Sequence, residues 1–370
     1  MKKVLFTATV DSHIRQFHLP YLKMFKDMGY EVHVATNGNE EFENCDIKHI
    51  ITFERNPFKI NNLKAIKQLK EIIDKEKFDI IHCNTPMGGA VTRIAAKEAR
   101  KKYGTKVFYT AHGFHFYKGA PLKNWIIYYP VEKWLAKYTD TIITINSEDY
   151  EIAKKKFKKT KNIELIHGVG LDTTRFDINI TEEDKKKLRE SLELKEEDIV
   201  LSYVAELNDN KNQILLINTV EKLIKENSNY KLLLIGDGEN REKYKNEINN
   251  RNLNNNVKLL GKRIDVPQLL SITNIYLASS IREGLPVNVM EAMYVGLPIA
   301  AKSNRGHREL IIDNENGYIV DTNDPTKIKE KIELIANNEN LRKKFIENSK
   351  EKVKKYEIKN VIEEMKKCYE

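Results

Sequence analysis

Residues 231–238 read Lys-Leu-Leu-Leu-Ile-Gly-Asp-Gly, and this short stretch decides the class of fold. Its uninterrupted run of large aliphatic side chains predicts a strand buried on both faces, as in a parallel sheet covered by helices. The glycines that follow predict a tight turn at the carboxyl end of the strand. Apolar runs of this kind alternate with amphipathic helical patterns along the whole chain, which predicts an α/β protein.

The strand and helix patterns form two series of similar length. Because strand–helix–strand units make right-handed crossovers, each series predicts a doubly wound, Rossmann-like parallel sheet. The stretch 168–180 is the predicted joint, giving an N-terminal domain over 1–175 and a second domain over 176–354. Two such domains facing each other would bind ligands in the interdomain cleft. The helices include one predicted over 14–29, and the strands are predicted at 3–10, 31–36, 79–84, 106–111, 141–146, 163–167, 199–205, 231–236, 257–260, 275–278, 298–301 and 317–320.

The composition narrows the class of protein further. The chain has 370 residues, of which 41% are hydrophobic and 32% charged, so large cores are possible and disorder of the whole chain is excluded. No apolar run approaches the roughly 18 residues of a membrane-spanning helix. The three cysteines, Cys45, Cys83 and Cys368, cannot make a disulfide framework and predict reduced thiols in a cytoplasmic protein.

The positive charge lies entirely in the first half of the chain. Residues 1–177 contain 30 lysines and arginines against 21 aspartates and glutamates, whereas residues 178–370 contain 33 of each. The basic half could attract an anionic membrane surface or anionic small molecules, or it could reflect solvated lysine faces alone. Nucleic acid is not an expected partner, because no zinc-finger spacing, RNP-like motif or basic heptad region is present.

The most specific segment is 279–298, Ser-Ser-Ile-Arg-Glu-Gly-Leu-Pro-Val-Asn-Val-Met-Glu-Ala-Met-Tyr-Val-Gly-Leu-Pro. A strand end, a tight turn and a helix start follow one another, so the backbone amides at the helix start form an anion site suited to a diphosphate. Glu283 and Glu291 lie on either side of that helix start. Two carboxylates suit the hydroxyl groups of sugars flanking a diphosphate, although an ordinary surface loop and capped helix is the alternative.

His112 is the main candidate in the first half. It follows the predicted strand 106–111, so it should lie at a carboxyl strand end, and Gly113 beside it permits close backbone approach. A structural histidine is the alternative. The loop after the first strand and two later loops supply weaker candidates for binding an acceptor, which are His13, Arg15, His18, Thr85 and His115.

The spacing of Glu283 and Glu291, in Glu-Gly-Leu-Pro-Val-Asn-Val-Met-Glu-Ala, resembles the E-x7-E signature of retaining glycosyltransferases with the GT-B fold, most closely glycosyltransferase family 4. That family includes enzymes of bacterial capsular and surface polysaccharide synthesis. The resemblance covers essentially the whole chain. The other segments that carry it are Asp79–Asn84, Thr110–Gly113, Gly168–Asp172, Ile235–Gly238 and Gly306–Leu310.

The resemblance implies roles for individual residues. Glu291 would bind the ribose of a donor nucleotide, Glu283 the donor sugar, Lys211 the diphosphate, and His112 the sugar near its reacting carbon. Where relatives often have an arginine shortly before the lysine, this chain has Ala205-Glu206-Leu207, so Arg263 is a candidate second cation. The remaining implied donor contacts are Gly284, Leu285, Pro286, Val287, Gly236 and Gly238.

The implied reaction is transfer of a hexosyl-type sugar from a nucleotide diphosphate sugar, by default a UDP-sugar, to an acceptor hydroxyl with retention of configuration. No cofactor and no metal are expected, because Lys211 and helix amides can stabilise the departing diphosphate. The implied acceptor is a sugar or lipid-linked sugar at the inner membrane face. The aromatic and basic segment 114–129 could contact that membrane, or it could pack into the core through Trp125 and Tyr128. The C-terminal helix, 355–370, is expected to pack back on the first domain.

Two other functions remain compatible with the sequence. A sugar-nucleotide epimerase of the same fold would bind the same kind of donor, but it would release no nucleotide in response to an acceptor. A non-enzymatic basic protein would bind anionic membranes in a salt-dependent way and would have no affinity for sugar nucleotides.

Overall fold

A computed structural model describes residues 1–370, and the chain divides into two compact units. Unit 1 comprises Met1–Gly170 together with Ile358–Glu370, and unit 2 comprises Leu171–Glu357. The sequence places the joints at 175/176 and 354/355. No helix is long and apolar enough to cross a membrane.

Unit 1 contains a seven-stranded parallel sheet in the order β3-β2-β1-β4-β5-β6-β7. The order runs in opposite directions from β1, which makes the boundary between β1 and β4 the switch point of a doubly wound sheet. The strands are β1 (Lys3–Val10), β2 (Glu31–Asn37), β3 (Ile47–Ile50), β4 (Ile80–Asn84), β5 (Lys106–Ala111), β6 (Thr141–Thr144) and β7 (Asn162–Leu165).

Unit 2 repeats the plan with a six-stranded parallel sheet in the order β10-β9-β8-β11-β12-β13, so its switch point lies between β8 and β11. The stretch Leu232–Ile235 lies within β9 and is almost completely buried. The prediction of two doubly wound parallel sheets is therefore confirmed. The strands are β8 (Ile199–Val204), β9 (Tyr230–Ile235), β10 (Val257–Gly261), β11 (Ile275–Ala278), β12 (Ile299–Lys302) and β13 (Tyr318–Val320).

Sixteen α-helices accompany these strands. In unit 1 they are α1 (Asp11–Phe17), α2 (Leu19–Asp27), α3 (Asn61–Glu76), α4 (Pro86–Ala95), α5 (Ala99–Lys102), α6 (Leu122–Leu135) and α7 (Ser147–Lys156), followed at the C-terminus by α16 (Ile358–Tyr369). In unit 2 they are α8 (Glu182–Ser191), α9 (Gln213–Leu223), α10 (Arg241–Asn250), α11 (Val266–Ser271), α12 (Val287–Val295), α13 (Arg305–Leu310), α14 (Pro325–Ala336) and α15 (Glu339–Val353).

Several elements differ from the sequence predictions, among them a helix predicted over 88–103 that is divided into α4 and α5. The helix predicted over 14–29 is two helices, α1 and α2, that meet at His18, because Pro20 has no amide to continue the hydrogen bonding of α1. The strand β3 was not predicted, since its sequence Ile-Lys-His-Ile has no continuous apolar run and it lies at the sheet edge. The six-residue helix α13 was not predicted either, because it is too short to show helical periodicity.

The C-terminal helix α16 completes the core of unit 1. It buries Val361, Met365 and Tyr369, and the hydroxyl of Tyr369 donates a hydrogen bond of 2.5 Å to Nδ1 of His82 in β4. Burial lowers the pKa of His82 to about 3, so the ring is neutral and Nδ1 can accept. The unit therefore depends on a side chain from the far end of the sequence.

Replacing Tyr369 with phenylalanine tests this dependence. The buried Nδ1 of His82 would lose its donor, so we expect Tyr369→Phe to lower the free energy of unfolding by about 1–3 kcal/mol in urea titrations. The matched control is Tyr103→Phe, because Tyr103 is 37% exposed and its hydroxyl contacts Asp74 at the surface. Equal losses in the two variants would contradict the role assigned to Tyr369.

Candidate functional site

The switch point of unit 2 brings two loops together at the carboxyl edge of its sheet. The loop 205–212 follows β8, and the loop 279–286 follows β11, which is hydrogen-bonded to β8. The amide of Ile281 donates to the carbonyl of Asn210 at 2.8 Å, and the Asn210 side chain donates to the carbonyl of Arg282 at 3.1 Å. These hydrogen bonds fix the position of each loop relative to the other.

Lys211 and Glu283 form an ion pair in these loops. Lys211 Nζ lies 2.6 Å from Glu283 Oε1, and the two side chains are 21% and 15% exposed. The backbone of Lys211 is held as well, since its carbonyl accepts a hydrogen bond of 2.7 Å from the Ser279 hydroxyl. The structure thus brings together two of the three residues predicted as catalytic, although they are far apart in the sequence.

The helix α12 begins directly after this ion pair. Pro286 is its N-cap residue with extended backbone, and Gly296, with φ of +82°, ends it. The first amides of an α-helix have no partner inside the helix, so those at Val287 and Asn288 are available to an anion. Gly284, Leu285, Pro286 and Val287 follow Glu283 directly in the chain, so they lie close to the Lys211–Glu283 ion pair, and Pro286 has no amide hydrogen of its own.

The turn before α12 is packed tightly against α13. A side chain at Gly306 would place its Cβ only 2.8 Å from Glu283 Cβ and 2.9 Å from Pro286 Cδ, so glycine is needed there. Arg305, which is 5% exposed, donates from Nε to the carbonyl of Glu283 at 3.1 Å. The sequence analysis missed this arginine. The sequence signal that could have found Arg305 was its place three residues after β12, since β12 is the neighbour of β11 and the two strands end at the same sheet edge.

Glu291 lies one turn inside α12 and is nearly buried, with 7% of its surface exposed. Arg175 contacts it, with Nη1 lying 3.3 Å from Oε1. Burial raises the pKa of the Glu291 carboxyl above its ordinary value of 4.5, and Arg175 opposes that rise in part. Arg175 belongs to the predicted joint 168–180, where its role was not foreseen.

Gly236 and Gly238 allow the turn after β9 to approach the loop after β8. An added Cβ would lie 2.0 Å from the Ala205 carbonyl oxygen at Gly236, and 2.5 Å from the Leu207 carbonyl oxygen at Gly238. Arg263 follows β10, and its guanidinium binds Asp265 through two contacts of 2.7 Å and 2.5 Å. Arg263 is thus already paired with a carboxylate.

The switch point of unit 1 holds a group of histidines. His112 follows β5, and its Nε2 lies 3.3 Å from Nε2 of His13 and 3.2 Å from Oδ1 of Asn84. Burial lowers the pKa of His13 to about 4 and that of His112 well below its usual range, so both rings are neutral near pH 7. His18 is packed beside them with 1% of its surface exposed.

A cavity of about 550 Å³ opens beside these histidines within unit 1. Three of the five predicted acceptor residues line it, namely His13, Thr85 and His115. Arg15 does not, because it pairs with Glu40 at 2.7 Å. His18 lies in the core behind the lining. The other lining residues are largely apolar or aromatic, among them Phe17, Met87, Tyr109, Phe114, Phe116, Ile127, Tyr128 and Val131.

The wall of the cavity includes a buried ion pair that the sequence analysis missed. Arg93 is completely buried, its Nη1 lies 2.9 Å from Glu132 Oε2, and its guanidinium stacks on the ring of Tyr109 at 3.8 Å. Glu132 and Tyr109 both line the cavity. The pair could not be foreseen because its members lie on α4 and α6, whose packing is set by the tertiary fold.

Thr85 has an unusual backbone at the cavity mouth. Its φ is +61°, which is strained for a β-branched residue, and its hydroxyl is 2.7 Å from that of Thr9.

The helix α6 forms another part of the wall of the cavity. Trp125 is packed against Phe116 and Tyr129, whereas Tyr128 is 37% exposed. Of the two residues predicted to pack this segment into the core, Trp125 does so and Tyr128 does not.

Comparisons with known proteins agree with this fold. A family model described as "Glycosyl transferase 4-like" matches residues 3–146, and one described as "Glycosyl transferases group 1" matches residues 184–352. The chain is 43% identical over 368 residues to a Bacillus subtilis (strain 168) protein named "Putative glycosyltransferase EpsD", covering 100% of this chain and 96% of that protein.

Two further proteins are similar over large parts of the chain. An Escherichia coli protein named UDP-Gal:alpha-D-GlcNAc-diphosphoundecaprenol alpha-1,3-galactosyltransferase is 30% identical over 278 residues, covering 74% of this chain and 70% of that protein. The crystal structure of Anabaena Alr3699/HepE in complex with UDP-glucose superposes with a TM-score of 0.79 and 18% identity, covering 100% of this chain and 99% of that one.

The raised pKa of Glu291 makes the stability of the protein depend on pH in a defined direction. Because the folded state holds this proton more tightly than the unfolded state, stability falls as pH rises through the window above about 4.5. Glu291→Gln removes this titration. The unfolding free energy of the variant minus that of the wild type should therefore increase as pH rises, by at most about 1.4 kcal/mol per pH unit.

Thermal unfolding of wild type and variant between pH 5 and pH 8 measures this difference. The matched control is Glu330→Gln, because Glu330 lies on the surface of α14 beside Lys327. A Glu291→Gln variant that lost stability relative to wild type as pH rose would contradict the assigned direction.

Proposed function

Because the chain belongs to the glycosyltransferases of family 4 type with the GT-B fold, we propose that it transfers a sugar from a UDP-sugar to an acceptor hydroxyl with retention of anomeric configuration. The observation that carries the proposal is the Lys211–Glu283 ion pair beside the amino end of α12, at the switch point of unit 2. A cation, a carboxylate and unpaired helix amides are the groups that a sugar joined to a diphosphate needs.

Each group at this site has a proposed part in the reaction. Lys211 and the amides of Gly284, Leu285, Val287 and Asn288 bind the diphosphate and stabilise the charge that develops as it departs. Glu283, whose carboxylate is oriented by Lys211, binds hydroxyls of the donor sugar. Glu291 binds the ribose hydroxyls. A UDP donor is supported by the name of the Escherichia coli relative and by the UDP-glucose complex of the Anabaena protein.

Retention is proposed without a covalent enzyme intermediate. In retaining glycosidases two carboxyl groups stand about 5–5.5 Å apart across the reacting carbon. Here the Glu283 carboxylate is bound to Lys211 and the Glu291 carboxyl is buried in α12, so neither is placed as a free nucleophile.

His112 is the residue of unit 1 proposed to contact the donor sugar. The positive charge at the diphosphate comes from Lys211 and helix amides, so the proposed donor chemistry requires no metal.

The acceptor is proposed to bind in the cavity of unit 1. Its aromatic side chains offer flat faces to a sugar ring, and its hydroxyl-bearing and imidazole groups at Thr85, His13 and His115 offer hydrogen bonds. A lipid-linked sugar in the assembly of a bacterial surface polysaccharide is the acceptor class we propose, by analogy with the diphosphoundecaprenol-linked substrate in the Escherichia coli relative's name.

Donor binding provides the first test of the proposed function. We expect UDP and a UDP-sugar to raise the melting temperature of the protein, whereas GDP and CMP should not. Lys211→Ala should weaken UDP binding at least tenfold, because it removes the cation at the diphosphate and leaves Glu283 unpaired there. The matched control is Lys327→Ala, which removes a surface lysine from α14.

Turnover then separates a transferase from an epimerase. UDP should be released only when a sugar acceptor is present, and NMR of the product should show the anomeric configuration of the donor. A product with the opposite anomeric configuration would overturn the proposed retention but not the proposed sugar transfer. Conversion of the UDP-sugar without an acceptor would favour the epimerase, and the absence of any nucleotide-dependent shift would overturn the donor site.

Attachment to the inner membrane face is proposed through α6. This helix exposes Leu122 at 73%, Ile126 at 64%, Val131 at 49% and Trp134 at 46%, among lysines of the basic half of the chain. An apolar surface surrounded by lysines is the chemistry of binding to anionic lipids.

Flotation with phosphatidylglycerol vesicles tests the attachment. We expect the protein to float with these vesicles, and Ile126→Asp to reduce the bound fraction severalfold because a carboxylate opposes both insertion and attraction. The control is Leu334→Asp. Leu334 is also an exposed aliphatic residue, 49% exposed, but it lies in unit 2 and outside α6. Equal flotation of wild type and Ile126→Asp would exclude α6 as the attachment surface.

A further inference from the structure

The ion pair in the wall of the unit 1 cavity lacks part of its hydrogen bonding. Arg93 of α4 is completely buried, and its Nη1 lies 2.9 Å from Oε2 of Glu132 in α6. The Nε of Arg93 donates to the Gly89 carbonyl at 2.9 Å. Nη1 and Nη2 of Arg93 and Oε2 of Glu132 are buried without a partner in hydrogen-bond geometry. The two charges are therefore in contact, but they lack hydrogen bonds that would offset their removal from water.

A second ion pair of unit 1 is fully hydrogen-bonded. Arg100 donates from Nε and Nη2 to the two carboxylate oxygens of Asp140 at 2.9 Å and 2.6 Å, and from Nη1 to a main-chain carbonyl. Asp140 also accepts a hydrogen bond of 2.9 Å from the amide of Val107 in β5. A buried pair without such bonds is often no more stabilising than apolar side chains of similar volume. Stability therefore accounts for Arg100 and Asp140 but not for Arg93 and Glu132.

The side chains around Arg93 hold the Glu132 carboxylate at the surface of the cavity. The Arg93 guanidinium lies 3.8 Å from the centre of the Tyr109 ring, and the Tyr109 hydroxyl donates to Oε1 of Glu132 at 3.3 Å. An added Cβ at Gly89 would lie 2.5 Å from the Tyr109 ring, so glycine leaves room for that ring. Tyr109 and Glu132 line the cavity, whereas Arg93 lies behind its wall. Arg93 thus fixes a carboxylate that a ligand can reach.

The rest of the lining indicates what kind of ligand suits this carboxylate. The cavity of about 550 Å³ is largely apolar and aromatic, and its size is that of a site for a small organic molecule. A carboxylate only accepts hydrogen bonds, so a ligand facing Glu132 must offer O–H or N–H donors. The lining contains no lysine and one arginine, Arg55, which is exposed on the loop after β3, where solvent and salt screen its charge. A neutral sugar ring offers both apolar faces and hydrogen-bond donors.

We propose that Glu132 selects the acceptor by accepting hydrogen bonds from a hydroxyl group or an acetamido N–H of a neutral sugar ring in this cavity, and that Arg93 positions its carboxylate. This inference deepens the proposed function and rests on the placement of the acceptor in the cavity. A sugar that carries a carboxylate of its own is rejected, because two negative charges would meet in a site that is largely apolar. Arg93 does not touch the sugar and acts only through Glu132.

Binding of phenyl glycosides to the full-length protein tests this selection. The probes are the phenyl glycosides of glucose, galactose and N-acetylglucosamine, and the phenyl uronides of glucose and galactose, in which a carboxylate replaces the hydroxymethyl group. The two tryptophans of the chain, Trp125 and Trp134, both lie in α6, so their fluorescence reports on the helix that contains Glu132. We expect at least one neutral glycoside to bind saturably, and each uronide to bind about tenfold or more weakly than the best neutral glycoside.

Replacing both partners separates a role in binding from a role in stability. Arg93→Met combined with Glu132→Leu fills the same space with apolar side chains, so the midpoint of urea unfolding should stay at or above that of wild type. The neutral glycoside should bind about tenfold or more weakly, because the acceptor of its hydrogen bonds is gone. The matched control is Arg100→Met combined with Asp140→Leu. It should unfold at a lower urea concentration, because the Val107 amide loses its acceptor, and it should bind the glycoside as wild type does.

Two conservative variants keep the test valid if the double replacement does not fold. Glu132→Asp retains the negative charge beside Arg93 but withdraws the carboxylate by one carbon, so it should weaken binding of the neutral glycoside severalfold. Arg93→Lys retains the positive charge but not the planar group that stacks on Tyr109, so it should also weaken that binding while the uronides remain excluded. Circular dichroism checks that each variant is folded.

The outcomes distinguish this inference from the proposed function. Unchanged glycoside binding after loss of both Arg93 and Glu132, or in Glu132→Asp, would overturn the role of Glu132, as would uronides that bind as tightly as neutral glycosides. If no glycoside binds while UDP still raises the melting temperature, the inference fails and the donor site stands. If neither UDP nor any glycoside binds, both the inference and the proposed function are overturned.

Discussion

The reversal of strand order beside the first strand of each sheet is the constraint on which both candidate sites depend. Right-handed crossovers put helices on opposite faces on either side of that strand, so the chain after β1 and the chain after β4, like those after β8 and β11, lead to helices on opposite faces of the sheet. Polar side chains on those loops can then face an opening and not a helix. Lys211 and Glu283 meet in unit 2 for this reason, and His13 meets Asn84 and His112 in unit 1 for the same reason.

Close backbone packing keeps these loops in place. Gly236 and Gly238 let the turn after β9 lie against the loop after β8, and Gly306 lets α13 lie against the turn before α12. Each contact would be blocked by a single added carbon. The turn that leads into α12 and the loop that carries Lys211 are therefore held in place by close packing of the main chain.

The sequence predicted the parts of this arrangement that depend on local pattern. Buried strands show as apolar runs, and a proline and a glycine mark where a helix begins and ends, so β9 and the helix α12 within the segment 279–298 were both predicted. It could not predict contacts that join distant parts of the chain. Tyr369 on His82 and Arg93 on Glu132 depend on how helices pack, and no local pattern marks them.

The charge of the groups at each switch point does not follow the net charge of the half of the chain that contains it. Residues 1–177 carry all of the excess positive charge, yet the switch point of their unit holds neutral imidazoles, and its buried Arg93 is neutralised by Glu132. Residues 178–370 have no net charge, yet they hold Lys211 beside α12 and the buried Glu291. Because screening weakens the field of exposed lysines within about 10 Å, the binding of an anion is decided by a few partly buried groups. The excess positive charge of residues 1–177 therefore does not predict which unit holds a partly buried cation beside a helix start.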